Sequence, residues 1–529
     1  MDRISILDCT LRDGGYVNSF SFGKKTIKKI IAKLSKAAID IIECGFLSDC
    51  QYNSDKTLFS DVEQIRELID EKNENLLYVA MIQVGLYDPN NLPVFNGKGI
   101  DGIRLTFHEH ELEKAIYDAR LIMEKGYKVF VQPVGTTTYP DDILLKLIDK
   151  VNDLQPYAFY LVDTLGVLYK NDLLRLFYLI DHNLNRDIYL GFHSHNNLQM
   201  SFANAQELMQ LNSSRKIILD TSVYGLGRGA GNLNTELVTQ YINTNFILKY
   251  DNIEILEIID EYIKPLKISY KWGYDAAYYL AAIFNCHPNY ASFLLNKQTV
   301  HIQDINHILK NMSYDKRALY DEKYISEMYT DYLGKHVNDE SVLAKLSEEL
   351  KNRDVILIAP GSSASKYIEN ICERKNSGSF IICINFNPSE YQADMIFVSN
   401  MKRFGAIANI DRIAATVKVV VTSNIPINAV SQISVVDYRG LNNESPTIVD
   451  NAGLMCVNLM NKIGLKKISL IGFDGYTGDI KNNYYDRSMS FNVDQHNLEE
   501  MNIETAKKFN QIKSQMKVEF ISPSIYSER

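Results

Sequence analysis

Long apolar runs are missing from these 529 residues: no stretch approaches the roughly 18 uninterrupted apolar residues that a membrane-spanning helix requires. The chain opens at once on charge and a strand-like run, unlike a signal peptide, so the expected compartment is the cytoplasm. Cysteine is sparse. Its seven copies (9, 44, 50, 286, 372, 383 and 456) are odd in number, widely scattered and without a C-x-x-C pair. That excludes a disulfide framework and a thiolate zinc site. Basic charge is not in excess either. Fifty-six Lys plus Arg against 65 Asp plus Glu leave −9, so neither nucleic acid nor an anionic membrane surface is an expected partner, although a local basic cleft is compatible with that balance. Low-complexity tracts and internal repeats are also lacking. What remains is a 46% apolar, 23% charged chain, ordinary for globular proteins and long enough for two to four domains at roughly 150 residues each.

Up to about residue 240, short β-rich runs alternate with stretches of helical period. The runs are ISILDCTL (4–11), IDIIECGF (39–46), LLYVAMIQ (76–83), IDGIRLTF (100–107), YKVFVQPV (127–134), YAFYLVDT (157–164), DIYLGFHS (187–194) and KIILDTSV (216–223). They start roughly 30 residues apart, the length of one βα unit, and their continuous apolar character predicts parallel strands covered on both faces. The expected fold is therefore α/β, with an N-terminal (β/α)8 TIM barrel over residues 1–245. An open doubly wound sheet is the alternative, but it would more often place a Gly-rich phosphate turn after the first strand. Here the first run leads into Arg12-Asp13, then Gly14 and Gly15. Residues 246–350 carry only helical spacing, as in IEILEIIDEYI (253–263), and predict a helical extension. A second α/β pattern runs from DVILIAPG (354–361) to KVEFISP (517–523) and predicts a Rossmann-like α/β domain over 351–529.

In such a barrel the chemistry gathers where strands end, so polar residues there are the first candidates. The seventh run leads into His193-Ser194-His195-Asn196, and residues i and i+2 of a strand point to one side, which lets two imidazoles meet one ion. The other strand ends bring Arg12 and Asp13, Glu43 and Asp163, and the loop after the eighth brings Asn232 in GLGRGAGN (225–232). A carboxylate, two imidazoles and an amide oxygen suit Mn, Mg, Zn or Co. Each piece alone has an ordinary reading: a structural histidine pair, a turn with a salt bridge, a satisfied buried acid, a helix cap at Asp163, a flexible or phosphate-binding loop. Strict alternation puts Asp8, Thr10 and Arg12 on one face of the first strand and Asp13 on the other. Gly14 and Gly15 permit a bend that swings Asp13 inward, and Asp8 is the rival ligand.

Taken together, LDCTLRDGGY (7–16), IIECGF (41–46), LVDTLG (161–166), GFHSHNN (191–197) and GLGRGAGN (225–232) resemble the DRE-TIM metallolyases, which include the HMG-CoA lyases, the isopropylmalate and homocitrate synthases and the 4-hydroxy-2-oxovalerate aldolases. The resemblance spans about 240 residues in the expected order. It implies a divalent metal held by Asp13, His193 and His195, with Asn232 as a fourth or neighbouring group, and Arg12 steadying an enolate oxygen; Glu43, at the end of the second strand, joins the catalytic candidates. It implies a C–C lyase acting on a pyruvate-like 2-oxo acid and an aldehyde. The oxovalerate aldolases carry a His three residues after the metal Asp, where this chain has Tyr16. Tyr16 is thus the first candidate for the general acid/base, with His108, His110, His287 and Tyr290 as rivals.

At the C-terminal domain, DVILIAP leads into Gly361-Ser362-Ser363, and the stretch NAGLMCVNLMNKIGLKKISLIGFDGY (451–476) follows. These loosely resemble the sialyltransferase-like units of bacterial surface-polysaccharide enzymes. The resemblance implies a nucleotide-sugar near Gly361, Ser362 and Asp474, with His496 as a catalytic base. The overall expectation is a two-module enzyme: a metal-dependent aldolase joined to a glycosyltransferase-like domain in surface-glycan synthesis. Its rivals are a glycosyltransferase active only in the C-terminal domain, a Claisen-type acyltransferase, and a barrel kept as a scaffold. Oligomeric state is open.

Overall fold

The structure is a computed structural model that describes residues 3–297, 299–334, 336–407, 410–427, 433–477, 483–486, 489 and 495–527. The chain divides into two compact units, Met1–Ser292 with Ser313–Tyr320, and Phe293–Met312 with Asp321–Arg529.

The first unit is built on eight parallel strands: β1 (Ile4–Asp8), β2 (Ile41–Leu47), β3 (Leu77–Gln83), β4 (Gly102–Phe107), β5 (Lys128–Pro133), β6 (Ala158–Asp163), β7 (Tyr189–Ser194) and β8 (Ile217–Thr221). Each pairs with its neighbour in sequence, and β1 pairs with both β2 and β8, which closes the barrel. All eight fall on the runs read from the sequence, because a strand covered on both faces reads as uninterrupted apolar residues. One side chain set, including Leu7, Ile41, Val79, Phe130, Ala158 and Ile218, clusters separately from the larger core between strands and helices. The helix Lys24–Lys36 shows why that outer layer forms. Ile27, Ile30, Ile31 and Leu34 recur at helical spacing and are buried, while its lysines take the opposite face. The β3–β4 connection departs from the βα repeat. Its proline- and glycine-punctuated sequence forms only a 3-10 turn at Pro89–Asn91.

Beyond the barrel, the elements among the described residues between 246 and 350 are all helices, from Asn252–Ile258 to Glu340–Leu350. The second unit holds a seven-stranded, all-parallel sheet: β9 (Val355–Ile358), β10 (Phe380–Ile384), β11 (Met395–Val398), β12 (Lys418–Thr422), β13 (Ser434–Val436), β14 (Lys467–Ile471) and β15 (Lys517–Phe520). The spatial order is β13-β12-β11-β10-β9-β14-β15, so the winding reverses between β9 and β14.

Candidate functional site

The site forms at the C-terminal ends of β1, β7 and β8. After Asp8 the chain leaves the strand: the amides of Arg12 and Asp13 both donate to the Cys9 carbonyl, at 3.1 and 2.8 Å. That turn cancels the strand alternation and brings Asp13 to the barrel mouth beside β7. Asp13, His193 and His195 are all buried, and one ligand atom from each lies within 4.8 Å of the others. Asp8 goes elsewhere. Its carboxylate accepts from the Thr10 amide at 3.0 Å and the Thr235 hydroxyl at 2.6 Å. Burial nevertheless pushes its carboxyl up to about 6 against those two bonds.

The electrostatics suit a cation. Burial alone would raise the Asp13 carboxyl, but Arg12, His195, His193 and Arg228 outweigh it and hold it well below the usual carboxylate range. His195 is pushed down to about 3, chiefly by burial, so its imidazole is neutral at physiological pH, the form that ligates. The side chains also fit the group chemically. His195 Nδ1 and Asn232 Oδ1 are buried without a hydrogen-bond partner. Asn232 Nδ2 donates to Asp13 Oδ2 and, at 3.1 Å, to the Leu226 carbonyl, which leaves its oxygen facing away from both. Two imidazoles, a carboxylate and an amide oxygen form the mixed N/O set that Mn, Mg, Zn or Co accepts. An antiparallel bridge between His195 and Asn232 brings the GLGRGAGN loop to the histidine pair.

Beneath the histidines lies a layer of ion pairs that the sequence reading did not single out. Arg104 Nη1 donates to Glu43 Oε2 at 2.6 Å, and its Nη2 pairs with Asp220 Oδ2. Asp220 Oδ2 also lies 3.0 Å from His193 Nδ1, which fixes that nitrogen as the donor and leaves Nε2 for a cation. Arg12 is held at two points, Nε on Glu43 at 3.0 Å and Nη1 on Asp13 Oδ1 at 2.8 Å. Glu43 is thus clamped between two guanidinium groups, with its Oε1 unpartnered. Arg104 and Asp220 were missed because each sits inside an apolar strand run, GIRLTF and IILDT. The available signal was a charge at an inward position of a covered strand, which needs a partner of opposite sign.

The remaining candidates divide. Asp163 accepts from the amides of Val167 and Leu168 at 3.0 and 3.1 Å and shapes the loop after β6, with burial raising its carboxyl to about 6. Tyr16 is partly exposed, and its ring lies under the Arg228 guanidinium, 4.2 Å from centroid to Cζ. His287 is half-buried and pushed down to about 3, first by desolvation and then by the charges of Arg228, His195 and His108. Its Nδ1 accepts from the Asn289 amide at 3.2 Å, leaving Nε2 to carry the proton. Tyr290 is tied by its hydroxyl to the carbonyls of Lys316 and Leu319. His108 and His110 stack on each other at the start of the helix after β4, with burial holding His108 below the usual imidazole range.

In the second unit Gly361, Ser362 and Asp474 meet where the strand order reverses. The Asp474 carboxylate accepts from the Ser363 amide at 2.7 Å and from the hydroxyls of Ser362 and Ser363. A Cβ on Gly361 would lie 2.2 Å from the Gly472 carbonyl oxygen, so glycine permits the close approach of the two strand ends. His496 lies in the helix Gln495–Lys513, but its side chain is outside the described residues.

Comparison with known proteins bears on the barrel. The HMGL-like family model matches residues 106–260. An oxaloacetate decarboxylase of Mycobacterium tuberculosis is 28% identical over 234 residues, 44% of this chain and 67% of that protein. A 4-hydroxy-2-oxovalerate aldolase of Bacillus thuringiensis is 24% identical over 272 residues, 50% and 76% of the two chains. Among solved structures, an HMG-CoA lyase from Brucella melitensis superposes with a TM-score of 0.40 at 14% identity, covering 51% of this chain and all of its own.

Proposed function

We propose that the barrel is a divalent-metal-dependent carbon–carbon lyase acting on a pyruvate-like 2-oxo acid and an aldehyde. The observation that carries this reading is the convergence of Asp13, His193 and His195 at the barrel mouth, with Arg12 bonded to the same Asp13 carboxylate. The similarity to aldolases and to an oxaloacetate decarboxylase supports it, since aldol cleavage and that decarboxylation both release a pyruvate enolate. The ion, when bound, supplies Lewis acidity that stabilises such an enolate. Asp13, His193, His195 and Asn232 would hold it. Arg12, fixed by Glu43 and Asp13, keeps a positive charge beside that seat without having to reorganise. Tyr16 is the first candidate to exchange a proton with the aldehyde-side hydroxyl, and His287, whose Nδ1 accepts from the Asn289 amide and whose Nε2 therefore carries the proton, is its rival.

Oxaloacetate decarboxylation is the second reading, favoured by the relative of that name. For the C-terminal unit, a nucleotide-sugar role rests on the place of Gly361, Ser362 and Asp474 at the reversal point. Against it, the Asp474 carboxylate already fills the amide turn where a phosphate would sit, so the proposed chemistry is confined to the barrel.

The test is exchange of pyruvate methyl protons in deuterated water with Mn-loaded full-length protein, run beside an oxaloacetate decarboxylation assay. Exchange that disappears in Asp13→Ala and His195→Ala supports an enolising site. No exchange in the wild type, or exchange that survives in both variants, overturns it. Decarboxylation far faster than any aldol cleavage would select the second reading.

A further inference from the structure

Three arginines surround the metal seat, and they are not alike. Arg12 and Arg104 are each paired with two carboxylates. Arg228 has no ion pair or hydrogen bond from its guanidinium among the described residues, and its Nε is buried without an acceptor. A guanidinium nitrogen removed from water and given nothing to bond is costly, and the usual resolution is an anion that arrives with a ligand.

The surroundings hold this group in place. The Tyr16 ring forms a platform 4.2 Å beneath the guanidinium carbon and fixes the plane of its donors. The loop that carries it is pinned on either side: the Gly231 amide donates to the Arg228 carbonyl at 2.9 Å, the Ala230 amide to Asn197 Oδ1 at 3.1 Å, and the Gly273 amide to the Gly229 carbonyl at 3.1 Å. Its two chain neighbours reach both sides of the site: a Cβ on Gly227 would lie 2.9 Å from Asp13 Oδ2 and one on Gly229 3.1 Å from Pro288 Cβ, so the arginine borders the ground where a ligand of the ion and its reaction partner would meet.

We propose that Arg228 is a specificity-determining residue, a seat for an anionic group, carboxylate or phosphate, on the aldehyde-side substrate, with Tyr16 as its platform. This rests on the lyase reading above. The 2-oxo acid has Arg12 and the ion for its own charge. Arg228, on the loop after β8, is the cation left for a second negative group. A planar fork of N–H donors fits either anion in a bidentate manner, which an ammonium does not.

The test is calorimetric titration of Mn-loaded full-length protein with three aldehydes: succinate semialdehyde for the carboxylate arm, glycolaldehyde phosphate for the phosphate arm, and neutral propanal. Wild type is expected to bind at least one anionic aldehyde about tenfold or more tightly than propanal. Arg228→Met should cut that preference by about ten- to a hundredfold, the usual range for a charge-assisted bond. Arg228→Lys should restore part of it, and Tyr16→Leu, which removes the platform and keeps the charge, should lower it several-fold. Propanal affinity serves as the internal control for an intact site. The arm with the larger loss in Arg228→Met identifies the anion.

Equal affinity of wild type for charged and neutral aldehydes overturns the inference, as does a preference that survives Arg228→Met. An Arg228→Met protein that loses pyruvate proton exchange while keeping the preference also overturns it, and assigns the arginine to the 2-oxo acid. Wild type that shows the preference through Arg228 but exchanges no pyruvate protons overturns the lyase reading and leaves the anion seat standing.

Discussion

Asp220 Oδ2 lies 3.0 Å from His193 Nδ1 and is shared with Arg104, so one buried carboxylate both sets the tautomer of a candidate ligand and pairs with a buried guanidinium. Asp220→Asn keeps the shape but cannot hold His193 and Arg104 as an anion does. Metal affinity should fall about ten- to a hundredfold, the usual cost of losing a partner that orients a ligating imidazole. Competition against a chelator of known affinity measures it, and an affinity within twofold of wild type would mean His193 is oriented by something else.

Asp13 and Asp8 offered the same chemistry in the sequence, and the structure separates them. Asp13→Asn should reduce bound metal to a trace, whereas Asp8→Asn should retain close to one equivalent. Metal analysis of the two purified proteins, with circular dichroism to confirm folding, decides between them. The reverse pattern would place the ion on the other side of β1.

The same Asp8 gives the metal-free protein a signature in pH. Its carboxyl stands at about 6 in the folded chain against 3.8 as the ordinary value. The folded state therefore binds more protons than the unfolded state between those values, and this residue's contribution to stability is lost as pH rises through that window. At 1.36 kcal/mol per pH unit, the stability of wild type relative to Asp8→Asn should fall by about 2.4 kcal/mol between pH 4, where the unfolded carboxyl is already partly ionised, and pH 7. Urea titrations at the two ends read it directly, and a constant difference would refute the burial argument.

Gly227 tests how tightly the loop is set against the ligands. A Cβ there would lie 2.3 Å from Asn232 Nδ2 and 2.9 Å from Asp13 Oδ2. Gly227→Ala should displace the amide and weaken metal binding about tenfold or more, with a smaller change in thermal stability. Unchanged affinity would show that Asn232 is dispensable.

Arg12 makes separate bonds to Glu43 and Asp13 through two different nitrogens. A lysine offers one centre of charge and cannot span both. Arg12→Lys should thus lower pyruvate proton exchange by about a hundredfold, the cost of losing one preorganised donor, while bound metal stays within a few-fold of wild type. Equal loss of metal and exchange would reduce Arg12 to a structural partner of Asp13.

The barrel was legible in the sequence because each of its strands is covered on both faces and so reads as one apolar block. The histidine pair was legible because i and i+2 share a strand face. The choice between Asp8 and Asp13 was not, since it depends on a turn at Cys9 that breaks alternation, and hydrogen bonds to a carbonyl leave no trace in residue type. Asp220 and Arg104 were hidden by their apolar neighbours, and each acquires meaning only from a strand distant in sequence. Arg228 was hidden differently. Surrounded by glycines, it read as part of a flexible loop, and its lack of an ion pair among the described residues is a property of three-dimensional space alone. Tyr16 stands in the position that suggested proton transfer, yet its ring carries a neighbouring guanidinium, a relationship spanning more than two hundred residues.

The ion-paired layer of Glu43, Arg104 and Asp220 also acts as a floor. All three side chains are shut off from solvent, so a substitution that removes one charge strands its partner where water cannot compensate it.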